Sequence, residues 1–383
     1  MNLCIVAHFA YGAIAGGSKG HVGGVERQTS LMAKWFAARG HVVSLVTWDE
    51  GQTEDCFVDG VKVIKLCRQS EGIPGLRFFY PRWTSLNKAL ARAGADIYYQ
   101  NSGEYITGQM ALWCRLKKRL FVYSTGSDTD CDATLPAMRS VREKVLYRYG
   151  LRHADTIISQ TKKQQHMLRN GFNLASTVLP MPCPGPDRTQ YPKPVFSEKK
   201  TLHVGWAGRI SKEKRLELLV EVARALPNVI FEVGGATTCK DDDDYAQPIL
   251  EAAASLPNII LHGRIAREDM SAFYNKLHLF CCTSAYEGFP NTFLEAWSHG
   301  LPIVSTFDPD NLITEQELGK SATDVLSLVE GINYFMNKPR AWEASSSRVL
   351  EYYLHNHKVD EAMAQFEKVF LETLAKRQKL SVV

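Results

Sequence analysis

Several features that define whole classes of protein are missing from this chain of 383 residues. No stretch holds the run of about 18 or more apolar residues that a membrane-spanning helix requires. The nine cysteines show no paired metal-ligand spacing, and the scattered histidines form no H-x-x-x-H pair. We therefore expect neither a membrane-spanning protein nor one built around a cysteine or histidine metal centre.

Two common nucleotide-binding fingerprints are absent as well. The glycine-rich segment 16–24 follows the first apolar run, but no two of its glycines stand two residues apart and it contains no Gly-Lys-Ser or Gly-Lys-Thr. Nicotinamide dehydrogenases and P-loop enzymes depend on such spacings, so both classes are disfavoured. These glycines still let the backbone approach a phosphate or sugar at a helix N-terminus, and a flexible loop without a ligand is the alternative.

The length of the chain favours two globular domains. Residues 1–190 carry 24 Lys and Arg against 15 Asp and Glu, whereas residues 191–383 carry 21 against 26. A basic first half and an acidic second half imply different partners for each half, unless the charge difference is compositional drift.

The first apolar run has no basic segment before it, which indicates a strand rather than a signal peptide. We therefore expect a cytoplasmic protein with reduced cysteines.

Predicted strands and helices alternate in both halves, which favours parallel α/β sheets. A proline-dense connector at 179–186 separates the halves, and we predict a hinge between residues 180 and 200. The resulting prediction is a first domain over residues 1–185, a second over 186–358 and a final helix within 359–383. We interpret the acidic run 241–244 as a solvated loop.

The second half is organised around the stretch 286–300, which we interpret as a loop and a short helix between two buried strands. Pro290 suits the first turn of that helix and Gly300 suits its end. Glu287 then lies in the loop, and Glu295 projects from the helix among large apolar neighbours. A carboxylate in such surroundings is costly unless it is satisfied, and a vicinal diol can donate two hydrogen bonds to it.

The start of the same helix is a candidate anion site. The backbone N–H groups of Gly288, Phe289 and Asn291 would face an anion or the oxygens of a sugar. Two glutamates on a surface helix without any ligand are the alternative interpretation.

Two cations flank a strand-to-helix turn in the second half. Arg209 follows the apolar strand 202–207, and Lys214 precedes an amphipathic helix. Such a pair can clamp a phosphate, because arginine can donate to two oxygens at once. Isolated surface charges are the alternative.

A basic amphipathic segment, residues 139–153, lies in the first half together with the basic cluster 115–119. It is either a solvated helix face packed on the sheet or a surface that docks on anionic lipid head groups or an anionic acceptor. No aromatic-rich basic sheet, zinc spacing or helix-turn-helix pattern favours a nucleic-acid partner.

The polar loop 125–132 follows a strand, at the position where open α/β sheets hold ligands. Its alternating aspartates lack the glycine and glutamate that complete a calcium loop.

The stretch 286–300 resembles the Glu-x7-Glu segment of the retaining glycosyltransferases of family 4, within the glycosyl transferases group 1 domain. The resemblance extends over Glu-Gly-Phe-Pro-Asn, the second Glu and the following Gly-Leu-Pro-Ile-Val. The Gly-Arg pair at 208–209 with a Lys at 214 is similar to the family's second hallmark. Gly-Gly-x-Glu-Arg at 23–27 is similar to the family's opening segment.

The resemblance implies the GT-B fold: two Rossmann-like α/β domains facing across a cleft, with the C-terminal helix crossing back to the first domain. It assigns Arg209 and Lys214 to the donor diphosphate, and with Glu287 they are the residues expected to carry the chemistry. It assigns Glu295 to the ribose diol. The expected donor-binding residues are Gly23, Gly24, Arg209, Lys214, Arg264, Ile265, Glu287, Gly288, Phe289, Pro290, Asn291 and Glu295, and the candidate contacts to the sugar or acceptor are Thr125 and Asp128.

Three positions depart from the family pattern. Thr125 stands where a histidine near the donor sugar is usual, and Arg215 stands where a glycine usually follows the lysine. Residues 308–311 replace the more usual Gly-Gly loop.

The resemblance further implies transfer of a hexose from a nucleoside diphosphate sugar, with retained anomeric configuration and without a metal or other cofactor. The implied acceptor is a hydroxyl of a glycan or lipid-linked molecule in surface polysaccharide or glycolipid synthesis. Peripheral contact with an anionic membrane on its cytoplasmic face would accompany that role. Two alternatives stay open: a nucleotide-sugar epimerase on the same fold, and a non-catalytic sugar- or lipid-binding protein.

Overall fold

Each half of the chain builds its own sheet, and the two sheets are the centres of two compact units. The structure, a computed structural model, describes residues 1–16, 23–54, 56–197, 201–237 and 240–380. The first unit comprises Met1–Met181 with Ala362–Val383, and the second comprises Pro182–Glu361. Beside this boundary, the N–H group of Cys183 donates to the carbonyl of His357 at 2.8 Å, so the two connecting segments run side by side.

The first sheet is parallel except at one edge. Within the described residues it has eight strands in the order β3-β4-β2-β1-β5-β6-β7-β8, and only β3 pairs antiparallel, with β4. The strands are β1 (Asn2–Val6), β2 (Val42–Thr47), β3 (Cys56–Val58), β4 (Val61–Lys65), β5 (Ile97–Asn101), β6 (Leu120–Ser124), β7 (Thr156–Ser159) and β8 (Thr177–Val178). The connecting helices are α1 (Tyr11–Ala15), α2 (Gly24–Ala38), α3 (Thr84–Ala93), α4 (Ile106–Leu116), α5 (Val141–Arg152) and α6 (Lys162–Phe172).

The second sheet is wholly parallel. Its described strands follow the order β11-β10-β9-β12-β13-β14. They are β9 (His203–Ala207), β10 (Ile230–Gly234), β11 (Ile259–Gly263), β12 (Leu279–Cys282), β13 (Ile303–Ser305) and β14 (Gly319–Ser321). The helices of this unit are α7 (Leu216–Ala225), α8 (Lys240–Ala254), α9 (Met270–Asn275), α10 (Asn291–Ser298), α11 (Leu312–Glu315), α12 (Val325–Met336) and α13 (Pro339–Asn356).

Both sheets have a topological switch point, where the strand order reverses. In the first sheet β1 lies between β2 and β5, and in the second β9 lies between β10 and β12. Connections leave in opposite directions at such a point, which opens a crevice outside the carboxyl ends of the two central strands. The fold therefore marks one candidate ligand position in each unit, after β1 and β5 and after β9 and β12.

Continuous apolar runs form the central strands because helices cover the faces of parallel sheets. Every residue of β6 and β12 is buried. Each unit has its own hydrophobic cluster, which includes Tyr98 and Phe121 in the first and Phe231 and Trp342 in the second.

The last helix, α14 (Val359–Leu380), belongs to the first unit from Ala362 onward, as the sequence predicted. The ring of Phe370 stacks on Phe36 at 5.6 Å between centroids and lies 5.5 Å from Tyr99. The Glu367 carboxylate accepts hydrogen bonds from Arg39 and His41. Burial raises the pKa of Glu367, but the hydrogen bonds from His41 and Arg39 outweigh burial and hold that pKa below its ordinary value.

The interpretation of residues 241–244 as a loop is wrong, because these residues lie inside helix α8, although Asp243 and Asp244 are exposed to solvent as expected. Aspartate is a poor helix former in a helix interior, yet here the run falls at the N-terminal end. Negative side chains are favourable there, because they face the positive end of the helix dipole.

None of the helices in the described ranges combines the length and the apolar character needed to cross a bilayer.

Replacing Phe370 with alanine should destabilise the first unit by about 3–5 kcal/mol, because the ring is completely buried and its loss leaves a cavity. Thermal unfolding measures the effect. The matched control is Leu371→Ala on the exposed side of the same helix, which should change the melting temperature little. Equal melting temperatures for the two variants would contradict the packing of α14 described here.

Candidate functional site

Glycines stand at the carboxyl ends of three strands of the second sheet: Gly234 and Gly263 end β10 and β11, and Gly208 directly follows β9. The N–H of Gly208 donates to the carbonyl of Gly234 at 3.0 Å, and that of Gly235 donates to the carbonyl of Gly263 at 2.8 Å. A Cβ atom added at Gly235 would collide with the carbonyl of Gly208. The backbone at the carboxyl ends of β9, β10 and β11 is therefore closely packed and free of side chains at these positions.

Lys214 and Glu287 form an ion pair that joins the two loops at the switch point of this sheet. Both side chains are largely buried, and the Ser284 hydroxyl also donates to the same Glu287 oxygen, at 2.7 Å. The hydroxyl of Thr283 donates to the backbone carbonyl of Lys214 at 2.6 Å. The loop after β12 thus fixes both ends of the lysine.

Arg215 accounts for one departure from the family pattern. Its φ of +49° lies in the left-handed region, which glycine adopts more readily than arginine. Its guanidinium donates to the carbonyls of Thr283 and Ser284, at 2.8 and 3.1 Å, and to the hydroxyl of Thr306 at 2.8 Å. The side chain therefore ties together the loops after β9, β12 and β13, and these hydrogen bonds offset the strained backbone.

Arg209 lies at the start of the same turn, as the sequence indicated, with a side chain about half exposed. It pairs with Glu213 four residues later. Burial raises the pKa of Glu213. Hydrogen bonds from its own backbone, Ser211 and Arg209 lower that pKa by more than burial raises it, so the carboxylate stays ionised at neutral pH. Both predicted phosphate cations thus have a carboxylate partner, and an incoming phosphate would compete with that partner.

Glu295 projects from α10 into the interior, where it is only 8% exposed. Arg267 forms an ion pair with one of its oxygens, and the Tyr274 hydroxyl donates to the other at 2.9 Å. Burial and the nearby carboxylate raise the pKa of Tyr274, so this hydroxyl remains a donor at neutral pH. A carboxylate has about four acceptor positions in total.

The sequence does not identify Arg267 and Tyr274 as the partners of Glu295. Arg267 lies 28 residues before Glu295 and Tyr274 lies 21 residues before it. The cost of burying Glu295 signalled that a partner exists, but this signal did not identify which residue it is.

The remaining predicted donor residues of this unit surround the same edge. Arg264 is exposed after β11, and the Ile265 side chain fills the space left by the missing Cβ of Gly234. Phe289 packs its ring against Trp297 and His357, at 6.0 and 5.3 Å between centroids. Pro290 is the N-cap of α10, Asn291 is its first residue, and the residue after its C-cap, Gly300, has φ of +79°. Gly288 lies in the partly buried loop between Glu287 and Phe289.

The first unit contains the other predicted positions. Gly23 is the N-cap of α2 and Gly24 is its first residue, whereas residues 17–22 of the glycine-rich segment lie outside the described residues. The Thr125 hydroxyl is completely buried and donates to the Gln164 side chain at 2.8 Å. Asp128 pairs with Lys163 at 2.7 Å.

Across the described ranges, no three His, Cys, Asp or Glu side chains are grouped so as to hold a metal ion. The expectation of metal-independent chemistry stays a prediction.

Comparison with known proteins identifies the family. The family model described as "Glycosyl transferases group 1" matches residues 187–351, and the model described as "Glycosyl transferase 4-like domain" matches residues 23–182. These two ranges include most of both sheets. The chain therefore belongs to the group 1 glycosyltransferases, as the Glu-x7-Glu segment indicated, and it is a glycosyltransferase.

The fold is shared with solved structures over nearly the whole chain. The sucrose-phosphate synthase of Thermosynechococcus elongatus has a TM-score of 0.78 at 16% identity, covering 98% of this chain and 99% of that one. HepE of Anabaena, solved in complex with UDP and glucose, has a TM-score of 0.73 at 15% identity, covering 97% and 99%. The catalytic domain of starch synthase IV from Arabidopsis thaliana, bound to ADP and acarbose, has a TM-score of 0.70 at 13% identity, covering 97% and 99%. These likenesses confirm the GT-B fold.

One curated relative matches part of the chain. The GtfA subunit of the UDP-N-acetylglucosamine–peptide N-acetylglucosaminyltransferase of Streptococcus gordonii is 27% identical over 169 residues, which are 41% of this chain. The match spans about a third of that relative, 32% of its length.

Two substitutions of Arg215 separate its backbone strain from its hydrogen bonds. Both Arg215→Ala and Arg215→Gly remove the three donated hydrogen bonds, but only alanine keeps the cost of a left-handed backbone. We expect Arg215→Ala to be less stable than Arg215→Gly by about 1 kcal/mol, and both to be less stable than the wild type. Thermal unfolding of the three proteins measures this order, and an alanine variant at least as stable as the glycine variant would contradict it.

Proposed function

We propose that this chain transfers a hexosyl group from a nucleoside diphosphate sugar to a hydroxyl of a glycan or lipid-linked acceptor, with retention of the anomeric configuration. The donor acts as a co-substrate, and no further cofactor or metal ion takes part. The family supports the class of reaction, and the arrangement at the edge of the second sheet supports the donor position.

The observation that carries this proposal is the Lys214–Glu287 ion pair at the switch point, beside Arg209. A diphosphate carries more negative charge than one carboxylate and offers more acceptor oxygens. It would therefore draw Lys214 away from Glu287 and Arg209 away from Glu213. Glu287 would then be free to accept hydrogen bonds from the hydroxyls of the transferred sugar.

In the proposed donor site, Glu295 would accept hydrogen bonds from the ribose of the donor. Its carboxylate is already oriented by Arg267 and Tyr274. A carboxylate that is fixed before the ligand arrives loses little freedom on binding. Arg264 and Ile265, at the end of β11, would border the nucleobase.

The reaction breaks the bond between the anomeric carbon and the diphosphate oxygen, and it forms a bond from the same carbon to the acceptor oxygen. The departing diphosphate takes the electron pair, and Arg209 and Lys214 stabilise the charge that develops on it. The proton of the acceptor hydroxyl passes to an oxygen of the leaving phosphate. Attack from the side of the leaving group retains the configuration.

Two solved relatives narrow the donor to test first. HepE was solved with UDP-glucose, and starch synthase IV was solved with ADP. We take UDP-glucose as the first donor and ADP-glucose as the second. A surface polysaccharide or glycolipid is the acceptor class that the family resemblance favours.

Replacing Lys214 with methionine should lower the rate of transfer by about 10²–10³-fold, because it removes a cation that stabilises the leaving group. It should also abolish the rise in melting temperature that UDP gives the wild type. The matched control is Lys212→Met, an exposed lysine in the same turn, which should keep both properties. A Lys214→Met protein with wild-type turnover would contradict the proposed site.

Release of UDP, measured with and without an acceptor, separates the alternative functions. A transferase releases UDP faster when an acceptor is present, and its product keeps the anomeric configuration of the donor. An epimerase on this fold would release a free sugar epimer with no acceptor, and a non-catalytic binding protein would release no UDP.

We further propose that helix α5 and its surroundings contact an anionic membrane. Val141 and Val145 are 78% and 58% exposed on this basic helix. The Arg142 guanidinium lies over the Phe78 ring, 4.0 Å from its centroid, which joins the helix to a second apolar segment. The exposed apolar residues of that segment are Ile73, Leu76, Phe79 and Tyr80. Exposed apolar side chains beside basic ones are typical of surfaces that lie in a lipid interface.

The double variant Val141→Glu/Val145→Glu should lose binding to vesicles of phosphatidylserine and phosphatidylcholine, because it adds negative charge and removes apolar area. Wild-type binding should weaken as salt rises. The matched control is Leu326→Glu, an equally exposed leucine in the second unit. Vesicle sedimentation measures binding, and wild-type binding that is absent or insensitive to salt would contradict the membrane contact.

A further inference from the structure

A buried carboxylate lies between two histidines on the second sheet, and the proposed donor contacts use none of the three. Glu232 is on β10, His203 is on β9 and His262 is on β11. The Nδ1 group of His203 donates to Oε1 of Glu232 at 3.0 Å, and the Nε2 group of His262 donates to Oε2. The Glu232 side chain is only 6% exposed. We call these three residues the His–Glu–His cluster.

The carboxylate of this cluster is ionised at neutral pH. Burial raises the pKa of Glu232, but the hydrogen bonds and charges of His262 and His203 outweigh burial and hold that pKa below its ordinary value. A buried ion cluster adds little net stability, because desolvation offsets the attraction, and apolar residues of similar volume are often as stable. A buried polar network in which each group has its partner does restrict geometry. The cluster therefore fixes how three neighbouring strands present this face.

Helix α9 packs on the same face of the sheet. Successive residues of a strand point to opposite faces, so Glu232 shares its face with Gly234 and with its register partner on β9, Gly205. A Cβ atom added at Gly205 would collide with Leu277, just after α9, and one added at Gly234 would lie 3.6 Å from Cζ of Phe273 on α9. The glycines beside Glu232 therefore let α9 and its C-terminal end approach the sheet closely.

The cluster contacts α9 through His262, whose ring meets the Phe273 ring edge-on at 5.5 Å between centroids. The next residue of α9, Tyr274, donates to the Glu295 carboxylate at 2.9 Å. Arg267, in the turn immediately before α9, forms the ion pair with the same carboxylate. Both partners of Glu295 thus belong to one short segment, and the His–Glu–His cluster contacts that segment.

We propose that the His–Glu–His cluster positions α9, and through it Arg267 and Tyr274, so that the Glu295 carboxylate is held in place for the ribose hydroxyls of the donor. The three members are positioning residues, because they act through α9 and do not touch the donor. The inference rests on the proposed function, since it names the support of the donor contact at Glu295. A cluster that merely stabilised the fold would affect unfolding and leave the affinity for a nucleotide unchanged.

Two substitutions of Glu232 test the inference. Glu232→Leu removes both accepting oxygens at similar volume, whereas Glu232→Gln keeps the shape and one accepting oxygen. We expect the dissociation constant of UDP to rise about tenfold in the leucine variant, because a misplaced Glu295 loses the equivalent of one hydrogen bond. The glutamine variant should give a smaller rise. Isothermal titration calorimetry measures both.

Hydrogen exchange follows the helix itself. The amide groups of residues 270–276 should exchange about tenfold faster in Glu232→Leu than in the wild type, because the helix loses its support on the sheet. The amide groups of α12, in the same unit, should keep their rates.

A variant destabilised elsewhere in the second unit provides the matched control. Leu328→Ala, on α12, opens a cavity in the hydrophobic cluster of that unit. It should lower the melting temperature and leave the affinity for UDP unchanged.

A double-mutant cycle tests whether the cluster acts through Glu295. In a Glu295→Gln background, Glu232→Leu should change the dissociation constant of UDP by less than about twofold. An equal rise in both backgrounds would overturn the inference, and so would unchanged affinity in Glu232→Leu alone. Equal loss of affinity in Leu328→Ala would assign the effect to stability and overturn it as well.

The exchange measurement uses no nucleotide, so it separates this inference from the proposed function. Absence of UDP and ADP binding in the wild type would reject the proposed donor site, and faster exchange in Glu232→Leu would then leave a cluster that positions α9 alone. Binding of UDP by the wild type, with exchange in α9 unchanged by Glu232→Leu, would keep the donor site and reject the positioning role.

Discussion

The ion pair between Lys214 and Glu287 is the interaction on which the donor site depends. It joins the loop that leaves β9 to the loop that leaves β12, at the switch point of the second sheet, where the strand order reverses. Both side chains are largely buried, and removing one member of a buried pair leaves the other charge uncompensated. The pair therefore holds both loops in position before any ligand arrives, and the lysine stays close to where a phosphate would bind.

Other interactions at this edge serve the same arrangement. Arg215 has a strained, left-handed backbone conformation, and its guanidinium donates hydrogen bonds that connect three loops. Burying the Glu295 carboxylate is unfavourable, and its ion pair with Arg267 and the hydrogen bond from Tyr274 offset that free energy. The glycines at the ends of β9, β10 and β11 let the neighbouring backbones pack closely at this edge. These features describe a site in which charged groups are held in fixed positions, which is the condition for electrostatic stabilisation of a leaving group.

The two switch points differ in chemistry although they share a topology. The second sheet presents cations at its switch point, which suits a diphosphate. The first sheet presents the buried amide side chains of Gln100 and Asn101 at its switch point, rather than cations. The same strand order therefore carries different side-chain chemistry in the two units.

Much of the fold was predictable from the sequence, because strands such as β6 and β12 are continuous apolar runs and the helices between them keep helical spacing. The family was predictable because its motifs are short continuous segments of the sequence. The strand-to-helix turn at Arg209 was predictable because it lies between an apolar strand and an amphipathic helix. The partners of Glu295 were not, because Arg267 and Tyr274 meet it only through tertiary packing. The helix over residues 241–244 was missed because aspartate is unfavourable inside a helix but favourable at its first turn. The buried Thr125 hydroxyl was not predictable either, because its hydrogen-bond acceptor, Gln164, lies on another element of the first unit.

A structure determined with bound UDP-glucose tests the central claim most directly. The account predicts that oxygens of the diphosphate lie within about 2.7–3.2 Å of Lys214 and Arg209, and that Lys214 has separated from Glu287. A diphosphate bound elsewhere, with the Lys214–Glu287 pair still closed, would contradict it.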